Sequence, residues 1–413
     1  MIIATRDTFE SVLETLMEEP RLSLDTETTG LRPFHGDRLF SVIIANATEE
    51  YYFNFWAYED QPNEVILNRE HLKSLGRLFK ELPHRLWFLQ NAKFDMHMLA
   101  VDGLELVGNI HCTQAIGRVL DNDELSYSLD TQAKRIGLEK SSVVDTYIKD
   151  NHLWEWETSP GKAKRSKKLF FYRVPFDIIA PYGCQDARVT YALGVDQLER
   201  LQENAKTTGN ALPPLFTVAD NERLLTQTVA AMERLGVKID RDFCVRAAQF
   251  ETDRAKNAAA EFEKLTGRVF KASPKLFAEV FVGDKAKWQM TEKGNPSFES
   301  DVLKTFESPV AGIVLRYRDA KSKADFYQGF LYHADKNNTV HPQLNPDGTA
   351  SGRFSSSEPN FQNLTAEEGT DLDAEFVVRR ALVPRPGFVF FMPDYSQMEY
   401  KMMLEYAAGG MGR

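Results

Sequence analysis

Apolar positions along this chain fall into three successive patterns. Over residues 1–210, short β-branched and aromatic runs alternate with helical spacing. "RLSLD" (21–25), "RLFSVIIANA" (38–47), "YYFNFW" (51–56) and "RLWFL" (85–89) predict strands. "REHLKSLGRLFKEL" (69–82) predicts a helix, and a second helix is expected over 92–100. "LPP" at 212–214 reads as a linker. Residues 216–335 then read as nearly all helix. "ADNERLLTQTVAAMERLGVKID" opens on the cap residues Asp220 and Asn221, spaces Leu224, Leu225, Thr228, Met232 and Leu235 along one face, and stops at Gly236. "ASPKLFAEVF" sets Ser273 as N-cap with Pro274 at the first helical position. Over 310–333, Ile313, Tyr317, Ala320, Ala324, Tyr327 and Leu331 share one face. From about 340 the pattern changes to loops with short strands, and the apolar run Phe388–Met392 predicts a buried central strand before a final helix. Three regions follow: 1–210, 211–338 and 339–413.

Composition narrows the classes. Hydrophobic residues make 43% of the 413 and charged residues 27%, ordinary for a soluble globular chain with room for two or three domains. No apolar run reaches the ~18–20 residues of a membrane span. The first residues, "MIIATRDTFESVLETLMEEP", lack the basic and apolar segments of a signal peptide. Cys112, Cys184 and Cys244 are widely spaced and odd in number, which argues against a disulfide framework or zinc cluster and fits a reducing cytoplasm. A net charge of −10 does not advertise a nucleic-acid binder, so any DNA would be held through local basic patches. The one charge run, "GKAKRSKK" (161–168), reads as an exposed loop, or as a path for single-stranded DNA backbone.

Three stretches carry chemistry. In "LSLDTETTGL", Asp25 and Glu27 sit two apart on a strand, so both leave one face while Thr26 leaves the other. Two adjacent carboxylates repel unless cations neutralise them, which reads as a divalent-metal site; a solvated strand end is the alternative. "NAKFDMHML" puts Asn91 and Asp95 at a helix start, where an acid also suits the macrodipole. "YGCQD" puts Tyr182 and Asp186 four apart on one helical face, as a site or as a surface pair.

In this order, D-x-E, N-x-x-x-F-D and Y-x-x-x-D resemble the tyrosine variant of the DEDD superfamily of 3′–5′ exonucleases, over roughly residues 1–195. The resemblance implies an α/β, ribonuclease H-like domain: a mixed sheet flanked by helices. It implies that Asp25, Glu27, Asp95 and Asp186 hold two Mg²⁺ or Mn²⁺ ions for two-metal phosphodiester hydrolysis. Tyr182 would orient the attacking water, since a phenol of pKa about 10 is a poor base at neutral pH. Thr28, Gly30 and Leu31, with Asn91, would hold the terminal nucleotide. Cys112-Thr113 replaces an Asp-Thr common in relatives, at a position that is not a metal ligand.

The remainder resembles a second family. "NERLLTQTVAAMERLGVKID", "ASPKLFAEVF", "KGNPSFESDVL" and "LRYRDAKSKADFY" succeed one another as in the thumb of family A DNA polymerases, the polymerase I type found in many phages. "NPDGTASGRFSSSEPNFQNL" (345–364) is mostly small and polar, hence a surface loop by composition. It is similar to the S/T-G-R-x-S-S…P-N-x-Q-N stretch that touches the primer–template minor groove, which assigns Arg353, Asn360, Gln362 and Asn363 to DNA. Arg and amide side chains can bond the minor-groove acceptors shared by all base pairs. "RRALVPRPGFVFFMPDYSQMEY" resembles the palm motif A. Asp394 would be a metal ligand beside the Tyr395 carbonyl, and Glu399 would crowd the sugar 2′ position. Ser396 and Glu399 equally form a capping box. Pro393 departs from the small residue usually preceding the Asp, and lacks an N–H.

A second palm carboxylate and the nucleotide-gripping fingers helix lie downstream of motif A in that family, and this sequence carries neither. The expectation is a complete proofreading exonuclease, a helical thumb and a partial palm. Such a chain would extend no primer and use dNTP only with a completed palm. It would be half of a split phage-like polymerase joined by a second polypeptide, or a truncation. The alternatives are a stand-alone exonuclease whose palm remnant docks a partner, and a non-catalytic primer–template clamp. No 5′-nuclease region is expected ahead of residue 1.

Overall fold

The computed structural model describes residues 1–58, 61–158, 160, 165–207, 215–346, 348–349, 353–364 and 376–407. The expected linker at 212–214 lies outside them.

The first elements are β1 (Ile2–Ile3), α1 (Phe9–Met17), β2 (Arg21–Thr28), β3 (Leu39–Ala45), β4 (Glu50–Asn54), α2 (Arg69–Lys80), β5 (Leu86–Leu89), α3 (Ala92–Val101), β6 (Asn109–Cys112), α4 (Thr113–Leu120), α5 (Leu129–Arg135), α6 (Val143–Asp150), β7 (Trp154–Glu157), β8 (Ser166–Leu169) and α7 (Phe176–Thr207). Six strands form one mixed sheet in the order β1-β4-β3-β2-β5-β6. β2 is central, antiparallel to β3 and parallel to β5. Alternation divides its side chains. Leu22 and Leu24 join Val42, Ile44, Trp87 and Leu89 in a core with α1, α2 and α3. On the other face Ile43, Ala45 and Tyr52 pack on Ala180, Cys184 and Ala187 of α7. The mixed sheet flanked by helices is the expected ribonuclease H-like architecture.

The remaining elements are α8 (Leu215–Leu235), β9 (Val237–Lys238), α9 (Arg241–Thr266), α10 (Pro274–Val280), β10 (Gln289–Met290), β11 (Pro296–Ser297), α11 (Ser300–Leu303), α12 (Pro309–His333), β12 (Thr339–Val340), β13 (Gln343–Asn345), β14 (Ser355–Ser357) and α13 (Met398–Ala407). The helices α9 and α12 pack along one another. Phe262, Phe277, Phe281, Phe298 and Phe306 fill one end of that pair, with α10 and α11. At the other end Cys244, Tyr327 and Phe330 meet Phe376, Val378 and Ala381. Asp240 caps α9 and Ser273 caps α10 through their side chains.

Three expectations need correction. First, α8 starts at Leu215, ahead of Asp220, and buries Ala219, Thr226, Val229, Ala230 and Glu233 rather than its leucine face; Leu224, Met232 and Leu235 are exposed. Small side chains let α8 approach α3, α4, α7 and β6 closely. Second, part of the basic run is strand: β8 pairs with β7, and Lys167 lies 3.7 Å over the Trp154 ring. Its residues 161–164 lie outside those described. Third, Phe388–Met392 forms no strand and is exposed, Val389 by 86% and Phe391 by 85%. A strand needs a partner ladder, and no described segment pairs with this one.

Candidate active site

Acids from β2, α3 and α7 act on one another near the C-terminal end of β2. Asp25 and Glu27 lie on the α7 face, opposite Ile43 and Ser41 of β3, and the register shifts between Glu27 and Thr28. Ser23 Oγ donates to the Ala187 carbonyl at 2.7 Å, fixing α7 against the strand. Residue 183 is glycine where the helix crosses: a Cβ there would stand 3.1 Å from Ile43 and 3.3 Å from Glu27. Tyr182 and Asp186 therefore reach the acids from the same helix, and the Asp186 charge acts on the Tyr182 phenol.

Asp95 comes from the other side. It sits in the first turn of α3, whose cap residue Asn91 is left-handed at φ 54°. Thr26, on the face opposite Asp25 and Glu27, donates Oγ1 to Asp95 Oδ1 at 2.7 Å. Thr28 is buried and donates to the Gly30 carbonyl at 2.9 Å. Leu31 is 78% exposed at the rim.

The electrostatics are those of unneutralised acids. Burial of the carboxyl, then the charges of Asp95 and Asp186, hold Asp25 well above its ordinary value. Burial, then Asp25, does the same to Glu27. Burial pushes Asp95 up to about 7, against the Thr26 hydrogen bond. Asp186 is raised by burial, against Lys140. Tyr182 is pushed far up by burial and then by Asp186, so it stays protonated.

Among the described residues no three acid, histidine or cysteine side chains close on one point as they stand. Lys140 Nζ lies 2.6 Å from Asp186 Oδ2. The donor set still fits hard divalent cations: the carboxylates are oxygen donors, their charges oppose one another, and Asp186 Oδ1 is buried without a hydrogen-bond partner. Lys140 was not singled out from sequence, and nothing in "GLEKSS" marks it.

A second polar cluster lies behind α3. Lys93 and His97, four apart, both reach the buried Glu233 of α8, at 2.6 and 2.7 Å. Glu233 also accepts the Leu344 N–H of β13 at 2.6 Å. The i, i+4 spacing of Lys93 and His97 was a signal available in the sequence.

The other assigned residues are on the surface beyond β13. Arg353 forms an ion pair with Glu399, both exposed. Asn360 caps the turn Phe361–Asn363 by accepting the Gln362 N–H at 3.0 Å, and Gln362 Nε2 donates to the Phe354 carbonyl at 2.6 Å. Asp394 and Tyr395 are exposed ahead of α13, and among the described residues no group of three acid, histidine or cysteine side chains forms there.

Comparison with known proteins gives two family matches: a 3′–5′ exonuclease family over residues 1–201 and DNA polymerase family A over 242–409. A polymerase of Acinetobacter phage SH-Ab 15497, DNA polymerase DpoZ, is 27% identical over 94% of this chain and 62% of its own length. DNA polymerase I of Chloroflexus aurantiacus is 25% identical over 97% of this chain and 41% of its own. This chain thus spans between two-fifths and two-thirds of these relatives. The solved POL domain of Pol1 from M. smegmatis, in complex with DNA primer-template and dNTP, superposes with a TM-score of 0.70 at 19% identity, over 98% of this chain and 63% of that one. The two matched regions and the polymerase relatives agree: a 3′–5′ exonuclease region is followed by a region of DNA polymerase family A, on a fold similar to that of a solved polymerase domain.

Proposed function

We propose that this chain is a 3′–5′ exonuclease acting on DNA within a family A polymerase, with regions 1–210, 211–338 and 339–413 as exonuclease, thumb and first part of the palm. The observation that carries the reading is that Asp25, Glu27, Asp95 and Asp186 lie within electrostatic reach of one another around β2, with Tyr182 under the same charges. Those four carboxylates would hold two Mg²⁺ or Mn²⁺ ions. When bound, the ions supply Lewis acidity at the scissile phosphodiester. Thr26 aims the Asp95 carboxylate, and Ser23 and Gly183 keep α7 close enough for Asp186 and Tyr182 to face β2. Tyr182, protonated throughout the physiological range, donates rather than accepts and so positions water instead of deprotonating it. Exposed Leu31 offers an apolar edge to the terminal base, and Thr28 and Asn91 would help hold that nucleotide.

Arg353, Asn360, Gln362 and Asn363 would contact the primer–template minor groove. Asp394, the Tyr395 carbonyl and Glu399 would serve a polymerase site that uses dNTP once a palm surrounds it. The exposure of Phe388–Met392 supports a palm completed by strands from outside these 413 residues, in a continuing chain or a second polypeptide. Among the described residues no helix is long and apolar enough to cross a membrane.

A 5′-labelled single-stranded DNA, incubated with the chain and Mg²⁺, tests the reading. Stepwise shortening from the 3′ end, abolished by a chelator, is expected. An undegraded strand, or release of the 5′ label as a mononucleotide first, would overturn it.

A further inference from the structure

We propose that Lys140 is a resident counter-charge of the exonuclease site, and that cation binding there is an exchange in which a divalent ion displaces the Lys140 ammonium from Asp186. The inference rests on the two-cation reading above and goes beyond it, because it assigns a role to a residue outside the exonuclease motifs.

The position of Lys140 is built. It lies between α5 and α6, and the backbone on both sides is tied to one side chain. Gln185 Oε1 accepts the Ser141 N–H at 2.8 Å, and Gln185 Nε2 donates to the Glu139 carbonyl at 3.1 Å. Gln185 immediately precedes Asp186 on α7. The clamp therefore delivers the ammonium to the carboxylate next door, at 2.6 Å, with the two side chains only 15% and 10% exposed. A lysine on a flexible stem costs rotamer entropy to hold in one place; two backbone hydrogen bonds offset part of that cost.

Its chemical setting is equally specific. The ammonium stands 5.3 Å from the Tyr182 ring centroid, on the side of α7 that faces Asp25 and Glu27. Its charge favours the ionised forms of Asp25 and Glu27 as well as Asp186. Asp186 Oδ1, the oxygen that Lys140 leaves alone, is buried and unpartnered. One positive charge cannot balance the four acids, so the site is under-neutralised with Lys140 in place. A divalent cation balances it better and takes oxygen ligands that an ammunition of hydrogen bonds from one amine cannot bring together. The four-carbon stem lets the amine withdraw along the Tyr182 ring while Gln185 keeps its backbone fixed.

The test is a calorimetric titration of the 413-residue chain with Mn²⁺, without DNA, beside melting in a chelator and in Mn²⁺. Lys140→Met keeps the stem and removes the competing charge. It is expected to bind Mn²⁺ about tenfold more tightly than wild type. It should also melt lower in the chelator and show a larger Mn²⁺-induced rise in melting temperature. Lys149→Met, on the exposed side of α6, should bind Mn²⁺ within about twofold of wild type, as expected for a screened surface charge. Equal or weaker Mn²⁺ binding by Lys140→Met overturns the exchange. Should that variant not fold, Gln185→Ala replaces it, because it frees the backbone around Lys140 and leaves the charge. Tighter Mn²⁺ binding, by a smaller factor, is then expected, and unchanged binding overturns the proposal. Failure of the underlying reading looks different: wild type would give no Mn²⁺ heat, or heat that persists in Asp25→Ala/Glu27→Ala.

Discussion

Lys93 Nζ lies 2.6 Å from Glu233 Oε1, joining the helix that carries Asp95 to the helix that follows the exonuclease region. His97 Nε2 and the Leu344 N–H complete the ring of donors around that carboxylate. Glu233 keeps its charge because these donors outweigh the burial that opposes it. Removing it leaves the buried His97 and the half-buried Leu344 N–H without this acceptor, and leaves the half-buried Lys93 ammonium on the Leu344 carbonyl. Glu233→Ala should therefore lower stability by about 3–5 kcal/mol, and Glu233→Gln by clearly less. Urea unfolding followed by circular dichroism measures this; an alanine variant as stable as wild type would refute the junction.

The Thr26 side chain acts through Asp95. Thr26→Val keeps the shape of β2 and removes the donor to Asp95 Oδ1. Loss of an outer hydrogen bond to a ligand typically costs about 10–100-fold in activity or metal affinity. The expected result is a drop of that size in single-turnover exonuclease rate with an unchanged circular dichroism spectrum. A wild-type rate would mean that Asp95 is aimed by other groups.

His111 gives the chain an acid-sensitive joint. It is fully buried on β6; its Nε2–H donates to Gln197 Oε1 at 2.8 Å, and Nδ1 accepts from Arg223 at 3.1 Å. Burial, then the Arg223 charge, pushes its pKa down to about 3. The unfolded chain would titrate near 6.5. The unfolded state thus binds the proton first, so this contribution is intact above pH 6.5 and is lost as pH falls from there towards 3. By pH 5 the loss is roughly 2 kcal/mol. His111→Asn should be less stable at pH 7.5 and show a flatter stability profile between pH 6.5 and 4.5. Parallel profiles for the two proteins would contradict the assignment.

Gly194 sets how closely α7 lies on the sheet. A Cβ there would enter the space of the fully buried Phe88 ring on β5. Gly194→Ala should cost about 1–3 kcal/mol by overpacking, despite the better helix propensity of alanine. A thermal melt that rises instead would show that the helix can shift outward freely.

How far the sequence reaches depends on the range of the physics. Asp25 and Glu27 on one strand face, and Tyr182 and Asp186 on one helix face, follow from local periodicity and were legible, as was Asp95 at a helix start. The buried face of α8 was not, because the helix packs through Ala219, Thr226 and Ala230 and pairs Glu233 internally, while size and hydrophobicity pointed to Leu224 and Met232. Lys140 was invisible because its meaning arises only when the segment between α5 and α6 is clamped to α7. The run Phe388–Met392 has the composition of a central strand, but a strand is a property of its neighbours as well as of its residues.

The most direct measurement uses a 5′-labelled primer on a longer template, with Mg²⁺ and all four dNTPs, comparing wild type with Asp25→Ala/Glu27→Ala. The account predicts a ladder of shortened primers for wild type, and an unchanged primer for the double variant, with no extension by either. Shortening that survives the double substitution would contradict the assignment of the exonuclease site to the end of β2.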